Sequence, residues 1–212
     1  FTPGLDRFPV ASSEWAFDKI REGGGVAVFA HPYWEYCQQY AINEAVTDEI
    51  LARRNFDALE VLGGFYREQW RANNQQVARY YQETAKGAPI PVVGLSDSHG
   101  TDTGKLFDWY STVVVAKSDA LTDLAAAIRE DYSTALESVE GDIPNVVGNF
   151  RMVRYVSFLW ECYFLRHREL CAPEGLLMRE YLQGNPGAAT ALSALQGRTA
   201  AYRERCFRAQ EY

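Results

Sequence analysis

Four short runs dominate the first part of the chain: Val26-Ala27-Val28-Phe29-Ala30, Ala58-Leu59-Glu60-Val61-Leu62, Val92-Val93-Gly94-Leu95 and Thr112-Val113-Val114-Val115-Ala116. The first is apolar at every position, as expected of a strand buried on both faces, and the other three are further strand candidates. Helical patterns separate them. Ser12-Ser13 supplies an N-cap for a stretch that Gly23-Gly24-Gly25 stops, and Thr47 opens a second that ends near Arg54. A third runs to about Lys86, and Asp119 caps a fourth with Leu121, Leu124 and Ile128 on one face. Strand and helix alternating at roughly 20–30 residues read as βαβ units with a parallel sheet, an α/β fold. In such sheets chemistry sits at the carboxyl ends of the strands.

After about residue 140 the strands stop. Asp142-Ile143-Pro144 predicts a helix start, and Gly184-Asn185-Pro186 reads as the end of one helix and the beginning of the next. Residues 144–212 are thus expected to be three helices. Val153, Val156, Phe158, Leu159, Tyr163 and Phe164 are too many apolar positions for an isolated surface helix, so this extension is expected to pack on the α/β part. The domain reading is therefore 1–140 for the α/β part and 141–212 for the helical extension.

No run of about 18 apolar residues is present to span a bilayer. Residues 1–140 carry 12 Lys/Arg against 21 Asp/Glu, a balance of −9, and residues 141–212 carry 9 against 7, or +2. An acidic body repels phosphate backbones and disfavours bulk nucleic acid as a partner. The cysteines, Cys37, Cys162, Cys171 and Cys206, form no Cys-x-x-Cys pair and no dense framework. Reduced thiols and a cytoplasmic location are the matching expectation.

Two of the three histidines fall where an α/β protein places its chemistry. His31 directly follows the first run, and Pro32 prevents the strand from continuing its ladder. His99 ends Gly94-Leu95-Ser96-Asp97-Ser98-His99. Extended residues two apart share a face, so Asp97 and His99 project together from a strand end. A carboxylate and imidazoles at the ends of two separate strands suit a divalent metal, the carboxylate being able to bridge two ions. The plainer alternatives are a hydrogen-bonded structural histidine and an Asp-Ser-Gly turn. If the metal reading holds, His31, Asp97 and His99 converge at one end of the sheet.

Three segments in order carry a family resemblance: Gly24-Gly25-Val26-Ala27-Val28-Phe29-Ala30-His31-Pro32, Asp57-Ala58-Leu59-Glu60-Val61, and Gly94-Leu95-Ser96-Asp97-Ser98-His99. Together they resemble the PHP (polymerase and histidinol phosphatase) family of metal-dependent phosphoesterases over about residues 10–140. The resemblance implies the C-terminal part of a distorted (β/α)7 barrel. It also implies two or three divalent ions, Zn, Mn or Fe, and hydrolysis of a phosphate ester by metal-activated water. His31, Asp97 and His99 match metal ligands, through which they would act catalytically, and Glu60 matches an acid that supports the site.

The chain departs from the family at its start, where no His-x-His element is found. His167, within Phe164-Leu165-Arg166-His167-Arg168, reads as a helix-surface residue. With no initiator Met, a Pro/Gly stretch before Ser12 and too few strands to close a barrel, the expectation is a chain that lacks an N-terminal segment bearing further ligands and that is inactive alone. That segment of the same protein and a small phosphorylated substrate or nucleotide are the expected partners. Arg67 and Lys105, each a few residues past a strand end, are candidates to hold a phosphate oxygen. Trp34, Glu35 and Tyr36 are candidates to line the pocket. Two other functions stay open: a degenerate barrel acting as a binding or regulatory module, and a metal-dependent amidohydrolase.

Overall fold

The structure, a computed structural model, describes residues 6–34, 43–64, 70–87, 89–99, 109–139 and 141–208. The chain divides into two compact units, Phe1–Val153 and Arg154–Tyr212. The first is α/β.

Its opening helix α1 (Arg7–Glu22) starts earlier than Ser12-Ser13 suggests. The Asp6 side chain accepts from the Phe8 N–H and caps it, and Pro9 is tolerated because first-turn amides need no intrahelical partner. Ser12 instead lies inside the helix, donating to the Pro9 carbonyl at 3.1 Å. Likewise α2 (Glu44–Arg53) is capped by Asn43, whose side chain accepts from the Val46 N–H, and Thr47 is buried within it. α3 spans Trp70–Thr84. The four apolar runs become β1 (Val28–Phe29), β2 (Ala58–Gly63), β3 (Val92–Leu95) and β4 (Tyr110–Val114).

Strands β1, β2 and β3 form a parallel sheet in that order. All six residues of β2 are buried, as expected of a central parallel strand. The fourth run corrects the all-parallel expectation. β4 pairs antiparallel with β5 (Ser133–Glu137), which pairs with β6 (Asn145–Val147) in a second three-stranded sheet. α4 (Leu121–Arg129) links β4 to β5. Asp119 does not cap α4; Ser118 accepts from the Ala120 N–H and donates to Asp123 in the first turn. No closed barrel is present among the described residues.

The two sheets meet backbone to backbone at Gly94, where any Cβ would lie 2.5 Å from the Ser111 carbonyl oxygen. Hydroxyls satisfy this edge of β3. Thr112 Oγ1 accepts from the Gly94 N–H and donates to its carbonyl, and Ser133 donates to the Val92 carbonyl at 2.8 Å. Side-chain hydroxyls thus meet backbone groups of β3 that no ladder satisfies. Phe17, Phe29, Ile50, Leu59, Val61 and Val92 belong to one core cluster shared by α1, α2 and the parallel sheet.

A helix does not start at Pro144, because residues 145–147 complete the second sheet; it starts at Phe150, with the Asn149 carbonyl oxygen of its side chain accepting from the Met152 N–H. Helix α5 (Phe150–Leu159) runs into a π-helical turn at Trp160–Phe164, then α6 (Leu165–Leu182), α7 (Ala188–Leu195) and α8 (Arg198–Phe207). Gly184, in the left-handed region, and Asn185, whose side chain accepts from the Gly187 N–H, separate α6 from α7 as expected. Val156, Leu159 and Tyr163 are buried, whereas Phe158 is exposed. Tyr163 stacks on Tyr202 at 5.5 Å within the second unit. Cys162, Cys171 and Cys206 are free thiols, and Cys37 lies outside the described residues. Among the described residues, no helix is long and apolar enough to cross a membrane.

Candidate functional site

The carboxyl ends of β1 and β3 share an unusual backbone. His31 and Asp97 have φ of 29° and 50°, a region that side chains other than glycine's seldom adopt. Among the described residues two other non-glycine positions share it, and both simply end helices: Arg54 caps α2 and Asp131 follows α4. His31 and Asp97 terminate strands, and His31 does so before a proline, which ordinarily favours extended backbone. Such outliers persist where the surroundings hold them, and they cluster at functional sites.

Between them stands β2, and a bulge in it prepares the site. Register shifts between Glu60 and Leu62, so one extra residue of β2 faces β3. In a regular strand residues three apart point to opposite faces; the extra residue cancels that offset. Glu60 and Gly63 accordingly share a face, and a Cβ on Gly63 would lie 1.8 Å from Glu60 Oε1. Glycine is needed there to seat the carboxyl. The opposite oxygen, Oε2, accepts from the His31 backbone N–H at 3.0 Å. Glu60 is 1% exposed. Burial pushes its carboxyl up to about 8, the His31 N–H draws against that shift, and the charge of Asp97 adds to it. Glu60 thus bonds the end of β1 and feels the like charge of Asp97 past the end of β3.

His99 folds back on its own loop. Its Nδ1 lies 2.7 Å from the Asp97 carbonyl oxygen and 3.8 Å from the Asp97 carboxylate. A carbonyl only accepts, so Nδ1 carries the proton and the lone pair of the neutral ring is on Nε2. Metal-binding histidines are commonly oriented this way, by a backbone carbonyl on the other nitrogen.

Two contacts are therefore made among the expected residues, His99 with Asp97 and His31 with Glu60, while Asp97 acts on Glu60 as a like charge. The donor chemistry of these four, two carboxyls and two imidazoles, fits a divalent ion. Among the described residues, however, no three His, Cys, Asp or Glu side chains lie close enough to hold one. Arg67, Lys105, Glu35 and Tyr36 lie outside the described residues. His167 is on α6, its ring 5.1 Å from that of Tyr163, in the second unit.

Sequence reasoning missed Arg79, which lines a cleft with Pro32, Tyr33 and Trp34 of the β1 turn. It bonds Asp48 at 2.6 Å and Glu83 at 3.0 Å, and Glu83 is also held by Lys86 and Arg54. Its pairing with Glu83, four residues on in α3, is an ordinary helix-surface pattern, and only Asp48 comes from α2. Asn73 was also missed. Its Oδ1 accepts from the Gly63 N–H and so fixes the bulged end of β2, while its Nδ2 and the Oε1 of neighbouring Gln76 are buried without a partner.

Compared with known proteins, the chain matches no family model, no curated protein and no solved structure.

Proposed function

We propose that the chain is part of a metal-dependent phosphoesterase of the PHP type, its two sheets being the C-terminal part of that family's distorted barrel. The observation that carries this reading is the placement of left-handed His31 and Asp97 at the carboxyl ends of β1 and β3, on either side of the buried Glu60. A divalent ion bound there, Zn, Mn or Fe, would supply Lewis acidity toward a phosphoryl group and acidify a water molecule. His31, Asp97 and His99 would hold it. The Asp97 carbonyl sets the His99 tautomer, and Glu60 anchors the turn that carries His31. Three ligands suffice for one ion only, so a two-ion site requires ligands besides these three. Arg67 and Lys105 remain its candidates for holding the phosphate of a small ester or nucleotide.

The test is Mn²⁺ binding by calorimetry, followed by phosphate release from p-nitrophenyl phosphate with an amide panel in parallel. Mn²⁺ affinity falling at least about tenfold in His99→Ala and Asp97→Asn supports the reading, matching the usual cost of a lost ligand or its support. Affinity indifferent to both substitutions refutes it. Hydrolysis of amides but not of phosphate esters would assign an amidohydrolase instead.

A second reading is favoured by one observation, the lack of any three-donor group among the described residues. Under it the fold is a binding or regulatory module with an eroded ligand set, and Mn²⁺ would bind no more tightly than to the doubly substituted chain.

A further inference from the structure

Beside the β1 turn lies a cleft of about 600 Å³. One wall is Tyr33 and Trp34; another is Gln75, Ala78, Arg79 and Gln82 of α3. Those four positions follow the i, i+3, i+4, i+7 rule for one helix face. On a helix buried against its own protein that stripe would be apolar, whereas here it is two amides, a small residue and a guanidinium. The volume falls in the range of small-molecule sites.

Charge narrows what fits. Arg79 is the cation in the lining, and it is already met by Asp48 and Glu83. The other charged lining residue, Glu44, is an acid. Among the described residues the cleft therefore offers no uncompensated positive charge and is poorly suited to a phosphate. What it does offer is an indole, a phenol, and the amides of Gln75 and Gln82, each amide presenting a donor and an acceptor. Burial pushes the Tyr33 phenol above its ordinary value, with Arg79 drawing against it, so this wall is partly withdrawn from water.

We infer that this cleft binds the uncharged, flat part of a ligand: an aromatic or heteroaromatic ring whose edge carries both hydrogen-bond donors and acceptors. The ring stacks on the aromatic wall, a contact every planar base or aryl group can make, and its edge is read by the amides of α3. Trp34 ties the cleft to the candidate site, since its backbone N–H donates to the His31 carbonyl and its ring lies 5.8 Å from the His31 ring. On the phosphoesterase reading, on which only this role rests, the cleft receives the leaving group, an aryl or nucleoside moiety. The binding itself needs no metal.

The experiment measures that binding in the presence of EDTA, so that it stands or falls apart from catalysis. Adenosine and p-nitrophenol are titrated into the full 212-residue chain by saturation-transfer NMR and calorimetry, with ribose as a control lacking a ring. Adenosine is expected to bind saturably and ribose not at all. Trp34→Leu should weaken adenosine about tenfold or more, the usual loss on removing one stacking aromatic. Ala78→Phe should weaken it similarly by filling the cleft; Ala78 is exposed, so this variant keeps the fold's contacts and decides the matter alone if Trp34→Leu fails to fold. Saturable binding lost in Ala78→Phe supports the assignment even if no phosphate is ever released. No saturable binding of either ring, binding unchanged in Ala78→Phe, or binding that appears only with Mn²⁺ would each overturn it.

Discussion

The two ends of the parallel sheet treat their charged residues in opposite ways. At the amino ends of β1 and β2, Asp57 accepts from the Ala27 N–H at 2.8 Å through Oδ2 and from Arg129 at 3.1 Å through Oδ1. Arg129 also donates to the Gly25 carbonyl at 2.7 Å. Every partner is met, and α4 is tied to the sheet by the same contacts. At the carboxyl ends, Glu60 is buried with one backbone N–H for support and the like charge of Asp97 nearby, and two residues sit in left-handed backbone. One end is built for stability. The other holds groups in states that stability alone would not select, which is the distribution expected when chemistry sits at the carboxyl ends.

The largest effect should come from the amino end. Asp57→Ala leaves the fully buried Ala27 N–H without an acceptor and Arg129 without its carboxylate. A loss of about 3 kcal/mol in unfolding free energy is expected, by denaturant titration, because the buried donor then bears its full desolvation penalty. A loss below about 1 kcal/mol would break the contrast.

The carboxyl end should respond in the opposite sense, and pH reveals it. Glu60 holds its proton more tightly folded than unfolded, at about 8 against the usual value near 4.5. Its contribution is therefore complete below pH 4.5 and declines as pH rises toward 8. Glu60→Gln keeps the shape without the titration. With metal chelated, the variant should gain on the parent across that interval, on the order of 2 kcal/mol by pH 9 after relaxation of the buried charge. A difference independent of pH would mean that Glu60 is not a strained acid.

The seam between the sheets offers a smaller test on neutral groups. Ser133→Ala removes the donor to the buried Val92 carbonyl, at an expected cost of about 1–2 kcal/mol, by thermal or denaturant melts. It should leave the pH response of Glu60 untouched.

Much of this was legible in the sequence, and the failures are instructive. The three strands of the parallel sheet were readable because burial on both faces leaves continuous apolar runs, as at Val92–Leu95. Strands β5 and β6 were missed because Ser133-Thr134-Ala135-Leu136-Glu137 is half polar: Ser133 spends its hydroxyl on β3, a tertiary contact that no local pattern encodes. Asn145–Val147 was hidden by Pro144, which reads equally as a helix start. Of the site, the strand-end positions of His31, Asp97 and His99 followed from spacing. The bulge that turns Glu60 toward Gly63 did not, because one inserted residue leaves no mark in composition. Nor did the cleft on α3, whose residues look like an ordinary solvated face until the Tyr33–Trp34 turn is set against them.

The smallest effect has the sharpest meaning, because its sign is the test. Asp97 has φ of 50°, and its carboxylate adds to the electrostatic pressure on Glu60. Left-handed backbone costs about 1–3 kcal/mol at most side chains and less at aspartate, which tolerates that region better. Asp97→Gly removes both the strain and the repulsion, while the Asp97 carbonyl that accepts from His99 belongs to the backbone and stays. Against this, glycine loses more chain entropy on folding, by about 0.5–1 kcal/mol. The balance should be a small stabilisation, about 0.5 kcal/mol, read as a raised midpoint in denaturant with metal chelated. Under the phosphoesterase reading the same variant loses its response to Mn²⁺, so that gain in stability and loss of binding appear in one protein. If Asp97→Gly instead melts the fold, Asp97 is held by favourable contacts like Asp57, and the two ends of the sheet are not different after all.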